Sequence, residues 1–213
     1  MMAHLDFHLQ ELAHTPYWYV ALVIAYLLGA IPFGLIIAKL FLGIDIRQVG
    51  SGNIGMTNVM RTAGKGPGIA TFVLDLAKGS LAVWLVKGAF DGPEFLELLT
   101  AFLAVFGHTK SIFMGFKGGK GVSTNFGVWL VLDWRVFLAM AAIWLGMFII
   151  KRISSLSALS ALTLLPGLVA LIRGFEDQVF LAALLSVYLI LLHRSNIYRL
   201  LAGDEGQLKA GKN

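Results

Sequence analysis

The run Gly50-Ser51-Gly52-Asn53-Ile54-Gly55-Met56-Thr57-Asn58-Val59-Met60-Arg61 sets glycines and neutral hydrogen-bonding side chains around a single arginine. Glycine lets backbone N–H groups approach a ligand closely and permits positive φ, while a guanidinium offers phosphate a planar fork of donors. This composition suits the wrapping of an anion, with Gly50, Ser51, Gly52, Asn53, Thr57, Asn58 and Arg61 as candidate contacts. A tight loop of purely structural purpose stays open beside that reading. A second cluster begins at Gly107-His108-Thr109-Lys110 and continues through Gly115-Phe116-Lys117-Gly118-Gly119-Lys120-Gly121-Val122-Ser123-Thr124. There a glycine-rich turn leads into a predicted helix, so free N–H groups, the positive end of the helix dipole and Lys120 converge where a phosphate would sit. It is not a P-loop. Three residues rather than four separate Gly115 from Gly119, Gly121 follows Lys120 where Ser or Thr is needed, and no strand precedes it. The third cluster, His193-Arg194-Ser195-Asn196-Ile197-Tyr198-Arg199-Leu200, follows the last apolar run. The i, i+3 spacing of His193 and Asn196 places both on one helical face. Interfacial anchoring by the basic residues competes with a ligand-binding reading of this segment.

The elements that position these clusters are membrane helices. Of the 213 residues, 58% are hydrophobic and 14% charged, well below the roughly 25% charge of soluble domains, and the mean hydropathy is +0.80. A water-soluble globule is excluded. Apolar runs fall at residues 17–41, 67–90, 95–106, 122–132, 136–150, 155–172 and 179–192, which predicts an all-α polytopic protein of seven transmembrane helices. The fourth run would cover only about 17 Å as a helix, so it either extends into the preceding residues or is re-entrant. Ala30, Gly34 and Ala38 recur every fourth residue and predict a stripe of close helix approach. Pro32 and Pro166 predict kinks. Asp75 and Lys78, spaced i, i+3 within the second run, can neutralise each other as an internal ion pair, or Lys78 can reach an anion. The chain is read as one integral membrane domain over 1–213, with polar tails at 1–16 and 203–213 and no cleaved leader.

With seven crossings, 13 of the 17 Lys and Arg residues share the side that carries all three clusters, while Lys87, Arg135, Arg173 and most of the acids fall on the other. Basic loops stay in the cytoplasm, which predicts an outside N-terminus, a cytoplasmic C-terminus and active loops facing the cytoplasm. The net charge of +5 therefore serves an anionic substrate or lipid rather than nucleic acid. The absence of cysteine removes disulfides, thiolate metal sites and a cysteine nucleophile. His4, His8 and His14 are too widely spaced in a polar tail for a metal site, so neither metal nor cofactor is expected. Two anion-cradling loops on one membrane face point to a substrate with more than one phosphate, or to two phosphorylated substrates of which one is lipidic.

The segments 50–61, 107–108 with 115–124, and 193–205 resemble the motifs of the bacterial acyl-phosphate:glycerol-3-phosphate acyltransferase (PlsY) family over nearly the whole chain. The resemblance implies a bacterial inner-membrane enzyme of seven helices. It would move a fatty acyl group from acyl phosphate to the 1-hydroxyl of glycerol 3-phosphate, releasing lysophosphatidic acid and phosphate in the first acylation step of phospholipid synthesis. A soluble enzyme that makes acyl phosphate is a further implied partner. On this resemblance Ser51, Arg61, Lys120 and His193 are expected to carry catalysis. Gly50, Gly52, Asn53, Thr57, Asn58, His108, Gly118, Gly119, Gly121, Ser123, Thr124 and Asn196 are expected to bind substrate. Lys120 and the N–H groups of Gly118, Gly119 and Gly121 would hold the donor phosphate, and Arg61, Ser51 and Asn53 the acceptor. His193 and His108 are candidate bases, although the acceptor's own phosphate is the preferred proton acceptor, and Glu205 is expected to clamp basic loop residues. Lys110 and Ser111 depart from the aromatic residue and proline common in the family, and Ala30 from a common serine. A transporter of a phosphorylated metabolite is the rival class, but the motifs show no inverted repeat, and a scaffold would leave the phosphate-shaped loops unexplained.

Overall fold

The computed structural model describes residues 16–206, and the regular structure among them is helical. His4, His8 and His14, and most of both polar tails, lie outside the described residues. The first span, Tyr17–Leu42, consists of α1 (Pro16–Ala30) and α2 (Phe33–Leu42). Pro32 has no N–H to donate and its ring crowds the preceding turn, so the expected kink is a complete break. The carbonyls left at the break find other donors: Ile31 accepts from the Phe33 N–H at 3.1 Å and from Lys78 Nζ at 2.7 Å, and Ala30 accepts from Ser111 Oγ at 2.6 Å. An unpartnered carbonyl in hydrocarbon costs several kcal/mol, so these contacts help to make the break tolerable. Of the small-residue stripe, Ala30 and Ala38 are buried. Gly34 packs so closely on the carbonyl of Ile54 that a Cβ would overlap it. The stripe therefore docks the first glycine-rich loop as well as a helix.

A short amphipathic helix, α3 (Met56–Ala63), follows that loop. The second span continues α4 (Lys65–Trp84) through a π-helical turn at Leu85–Ala89. α5 (Glu94–Thr109), with the turn at Ile112–Met114, reaches 21 residues, longer than the apolar run alone predicted. α6 (Val122–Leu132) keeps its predicted bounds and has only 11 residues. It is a wedge in the core: Val128 and Trp129 are fully buried, and Ser80 of α4 donates to the Gly127 carbonyl at 2.8 Å. Cβ atoms at Gly79 or Gly127 would overlap the carbonyls of Thr124 and Leu76 respectively. α7 (Trp134–Lys151), α8 (Ser154–Arg173) and α9 (Asp177–Leu192) complete the bundle, and α8 runs through Pro166 as one helix. α10 (Arg194–Leu201) leaves α9 at 62°.

Five helices among the described residues are long and apolar enough to cross a membrane, or six if α9 and α10 count as one bent span. The core joins α4 to α9 through Val83, Val105, Trp129, Met140, Leu165 and Leu185. On the outside Leu171 is 84% and Phe180 76% exposed, an apolar surface suited to lipid. At the helix ends away from the glycine-rich loops, Lys87 pairs with Glu97 at 3.3 Å, Arg135 with Asp133 at 2.6 Å and Arg173 with Glu176 at 3.2 Å. The loop ends carry the site.

Candidate active site

Loop 1 (residues 49–55) is built around Asn58, the third residue of α3. Its Oδ1 accepts from the Ser51 N–H at 2.8 Å, and its Nδ2 donates to the carbonyls of Val49 at 2.9 Å and Ile46 at 3.3 Å. An amide side chain has these groups in fixed positions, so one residue folds the whole loop back on α3. Gly50, at φ 64°, is in the left-handed region, and a Cβ there would overlap Asn58 Oδ1. The loop thus turns Ser51 and Asn53 toward a cavity of about 800 Å³. Asn58 touches the same cavity, but its hydrogen-bonding groups are spent on the loop. Thr57 is tied to Ser154 of α8, hydroxyl to hydroxyl at 2.8 Å. Arg61 donates to the Gly206 carbonyl at 2.6 Å.

Loop 2 (residues 110–121) folds back on the end of α5. Gly118 N–H donates to the Thr109 carbonyl at 3.0 Å and Gly119 N–H to the His108 carbonyl at 3.1 Å. These two amides were expected to hold phosphate, and the structure spends them on the turn instead. Gly121, at φ 80°, opens α6, and its N–H meets no acceptor among the described residues. Val122 and Ser123 follow it along the cavity wall. Thr124 corrects a second expectation, because it is fully buried and packed on Gly79 rather than in the cavity. Ser111, a departure from the family pattern, caps the Pro32 break, and Tyr26 OH donates to the Lys110 carbonyl at 2.8 Å.

The third segment closes the site. At the bend between α9 and α10, His193 Nδ1 lies 2.8 Å from the Leu189 carbonyl. A carbonyl only accepts, so the neutral ring carries its proton on Nδ1 and keeps a lone pair on Nε2. Lys120 Nζ donates to Asn196 Oδ1. Asn196 Nδ2 and Ser155 Oγ both donate to Glu205 Oε1 at 2.6 Å, and Arg199 Nε donates to Glu205 Oε2 at 2.6 Å. Burial alone would raise the Glu205 pKa, but these three bonds outweigh it and hold the carboxyl below its ordinary value. Burial pushes Lys120 the other way, down to about 8; the charge of Glu205 opposes that shift and Arg199 adds to it.

The cavity therefore gathers Gly50, Ser51, Asn53, Thr57, Asn58, Arg61, His108, Lys120, Gly121, Ser123, His193 and Asn196. Gly52, Gly118 and Gly119 border a smaller adjoining hollow of about 310 Å³, which shares Ser51, Asn53 and Lys120. Ser154, Ser155, Arg199, Glu205 and Asp75 also wall the main cavity, although sequence reasoning gave them no substrate role. The signals of Ser154, Ser155 and Glu205, serines after a basic pair and the second of two adjacent acids in a polar tail, acquire meaning only when the tail is seen to fold back on α8. The same cavity has an apolar wall formed by Phe72, Phe126, Phe137, Ala141 and Trp144.

The fold and this cavity define a class, the multi-pass membrane protein with an internal cationic site that runs into an apolar groove. The chain matches the glycerol-3-phosphate acyltransferase family over residues 19–203. It is 41% identical to the glycerol-3-phosphate acyltransferase of Acaryochloris marina, over 90% of this chain and 93% of that one. The identity is 45% with the Mesorhizobium japonicum enzyme of the same name, over 89% and 95%. Its fold superposes on the crystal structure of PlsY, an integral membrane glycerol 3-phosphate acyltransferase, in its glycerol 3-phosphate form with a TM-score of 0.86, at 38% identity over 91% of this chain and 96% of that one. A lysophosphatidic acid form of the same protein gives 0.84 at 37% identity, with the same coverage. The chain belongs to the glycerol-3-phosphate acyltransferase family and is a membrane acyltransferase.

Proposed function

We propose that this acyltransferase takes its acyl group from acyl phosphate and places it on the 1-hydroxyl of glycerol 3-phosphate, releasing lysophosphatidic acid and inorganic phosphate. The observation that carries the reading is the continuity of one cavity, from Arg61 and Lys120 to the apolar wall of Phe126, Phe137 and Trp144. A donor that joins phosphate to hydrocarbon fits both ends. Lys120, the free Gly121 N–H and the start of α6 hold the donor phosphate and neutralise the charge that grows on it as it leaves. Arg61, Ser51 and Asn53 hold the phosphate of the acceptor. Its 1-hydroxyl oxygen attacks the acyl carbon, the carbon–oxygen bond to phosphate breaks, and the hydroxyl proton passes to the acceptor's own phosphate. Alignment of the two reactants supplies part of the ~7 to 11 kcal/mol available from positioning.

One observation favours a second reading of the base, since the Nε2 lone pair of His193 is left free by the Nδ1 bond to Leu189. Replacing His193 with Ala separates the two: partial activity supports the acceptor's phosphate, while complete loss with intact glycerol 3-phosphate binding moves the base to His193. The donor is tested by offering the reconstituted chain acyl phosphate and acyl thioester in parallel, with turnover expected from the phosphate alone.

The topology completes the proposal. α6 makes the fourth of seven crossings of a single domain in the bacterial inner membrane, with the N-terminus outside and the C-terminus and all three loops in the cytoplasm. A soluble enzyme supplies acyl phosphate to that face. Neither metal nor cofactor enters the reaction.

A further inference from the structure

Beneath loop 2 lies a buried polar group that the reaction above does not use. Asp75 and Lys78, one turn apart on α4, face each other at 2.7 Å with both side chains 2% exposed. Lys78 is fixed twice more, by its bond to the Ile31 carbonyl and by the Phe33 ring, whose centre lies 5.6 Å away. The break at Pro32 thus anchors the lysine, and the lysine anchors Asp75. On its other side Asp75 Oδ1 lies 3.6 Å from His108 Nδ1, and that imidazole is 3% exposed. The opposite edge of the ring supports loop 2, because a Cβ added to Gly119 would overlap His108 Nε2. The backbone of the same stretch, His108 and Thr109, accepts the N–H groups of Gly119 and Gly118. Lys120 is the next residue.

We infer that Asp75 and His108 are positioning residues, which seat the Gly118–Gly119 turn and thereby place the Lys120 ammonium for the donor phosphate. The inference rests on the proposed donor role of Lys120. A buried carboxylate with a lysine on one side and an imidazole on the other sets the orientation of the ring. The ring edge then sets the height of a turn that only glycine can make against it. Such a support matters because a displacement of about 1 Å at a reacting group can cost on the order of a hundredfold in rate. An ion pair that merely held the bundle would stabilise the fold without singling out the donor.

The test measures binding of a non-hydrolysable acyl phosphonate to the full chain in detergent, alongside glycerol 3-phosphate binding and thermal unfolding. Asp75→Asn and His108→Gln are each expected to weaken the phosphonate about tenfold and to leave glycerol 3-phosphate within about twofold. In a Lys120→Ala background the same substitutions are expected to weaken it no further, because the residue they act through is gone. Should Asp75→Asn fail to fold, His108→Gln, which leaves the Asp75–Lys78 pair intact, makes the same comparison. Gly119→Ala is expected to behave like His108→Gln, and the His108→Ala/Gly119→Ala pair to lose less than the product of its single losses, since removal of the ring makes room for the new methyl. Unchanged phosphonate binding in a folded His108→Gln protein would overturn the inference, as would losses that multiply in the Lys120→Ala background. Wild-type protein that binds glycerol 3-phosphate but not the phosphonate would overturn the donor reading with it.

Discussion

At the scale of single residues, side-chain type was legible and side-chain employment was not. Asn58 looks like a ligand because it stands among glycines and hydroxyls, yet its three hydrogen bonds at 2.8, 2.9 and 3.3 Å belong to the loop. Asn58→Ala orphans the groups it satisfies, each worth about 1–3 kcal/mol when buried. The expected result is a lower unfolding temperature and a collapse of acceptor binding together. Asn58→Asp, which keeps the Oδ1 acceptor but loses both donors, should fall between. Gly118 and Gly119 behave in the same way, since their N–H groups pair with carbonyls some ten residues earlier, a pairing that sequence spacing does not specify. Lys120 carries a pH prediction. Its ammonium is the form that binds phosphate, and with its pKa pushed down to about 8 that form is lost as pH rises through 8. The KM for acyl phosphate should be flat below that point and climb about tenfold per pH unit above it. Lys120→Arg, whose guanidinium stays charged, should remove the climb.

At the scale of elements, hydropathy located the helices and the bounds of α6 but not the reason for its shortness. α6 sits where two glycines let α4 approach its backbone, one of them, Gly127, on α6 itself, and a Cβ there would overlap the Leu76 carbonyl. Gly127→Ala is expected to destabilise by about 1–3 kcal/mol through overpacking. Gly146 of α7 offers the control, because a Cβ there meets nothing within 4 Å. Gly146→Ala should hold or raise stability by about 0.5–1 kcal/mol through a stiffer unfolded chain. Comparing unfolding temperatures of the two variants in one detergent checks both. The break at Pro32 was legible from proline chemistry, whereas the rescue of its carbonyls by Lys78 and Ser111 was not, because those residues lie 47 and 81 positions away from the carbonyls they satisfy.

For the molecule as a whole, charge predicts an orientation before any packing is considered. The three loops that build the cavity lie at one end of the bundle, and the Lys87–Glu97, Arg135–Asp133 and Arg173–Glu176 pairs at the other. Since the chain has no cysteine, single cysteines report sidedness without background. In intact cells stripped of their outer layers, Phe175→Cys is expected to react with a membrane-impermeant thiol reagent, and Lys117→Cys only after permeabilisation. Labelling of both from outside would place α6 as a re-entrant segment and reverse the proposed parity.

The proposed reaction is open to direct assay. Full-length protein in lipid, given acyl phosphate and glycerol 3-phosphate, should release inorganic phosphate and lysophosphatidic acid in equal amounts, and Lys120→Ala should abolish both. Phosphate without the lipid product, or neither product from protein that binds glycerol 3-phosphate, would contradict it.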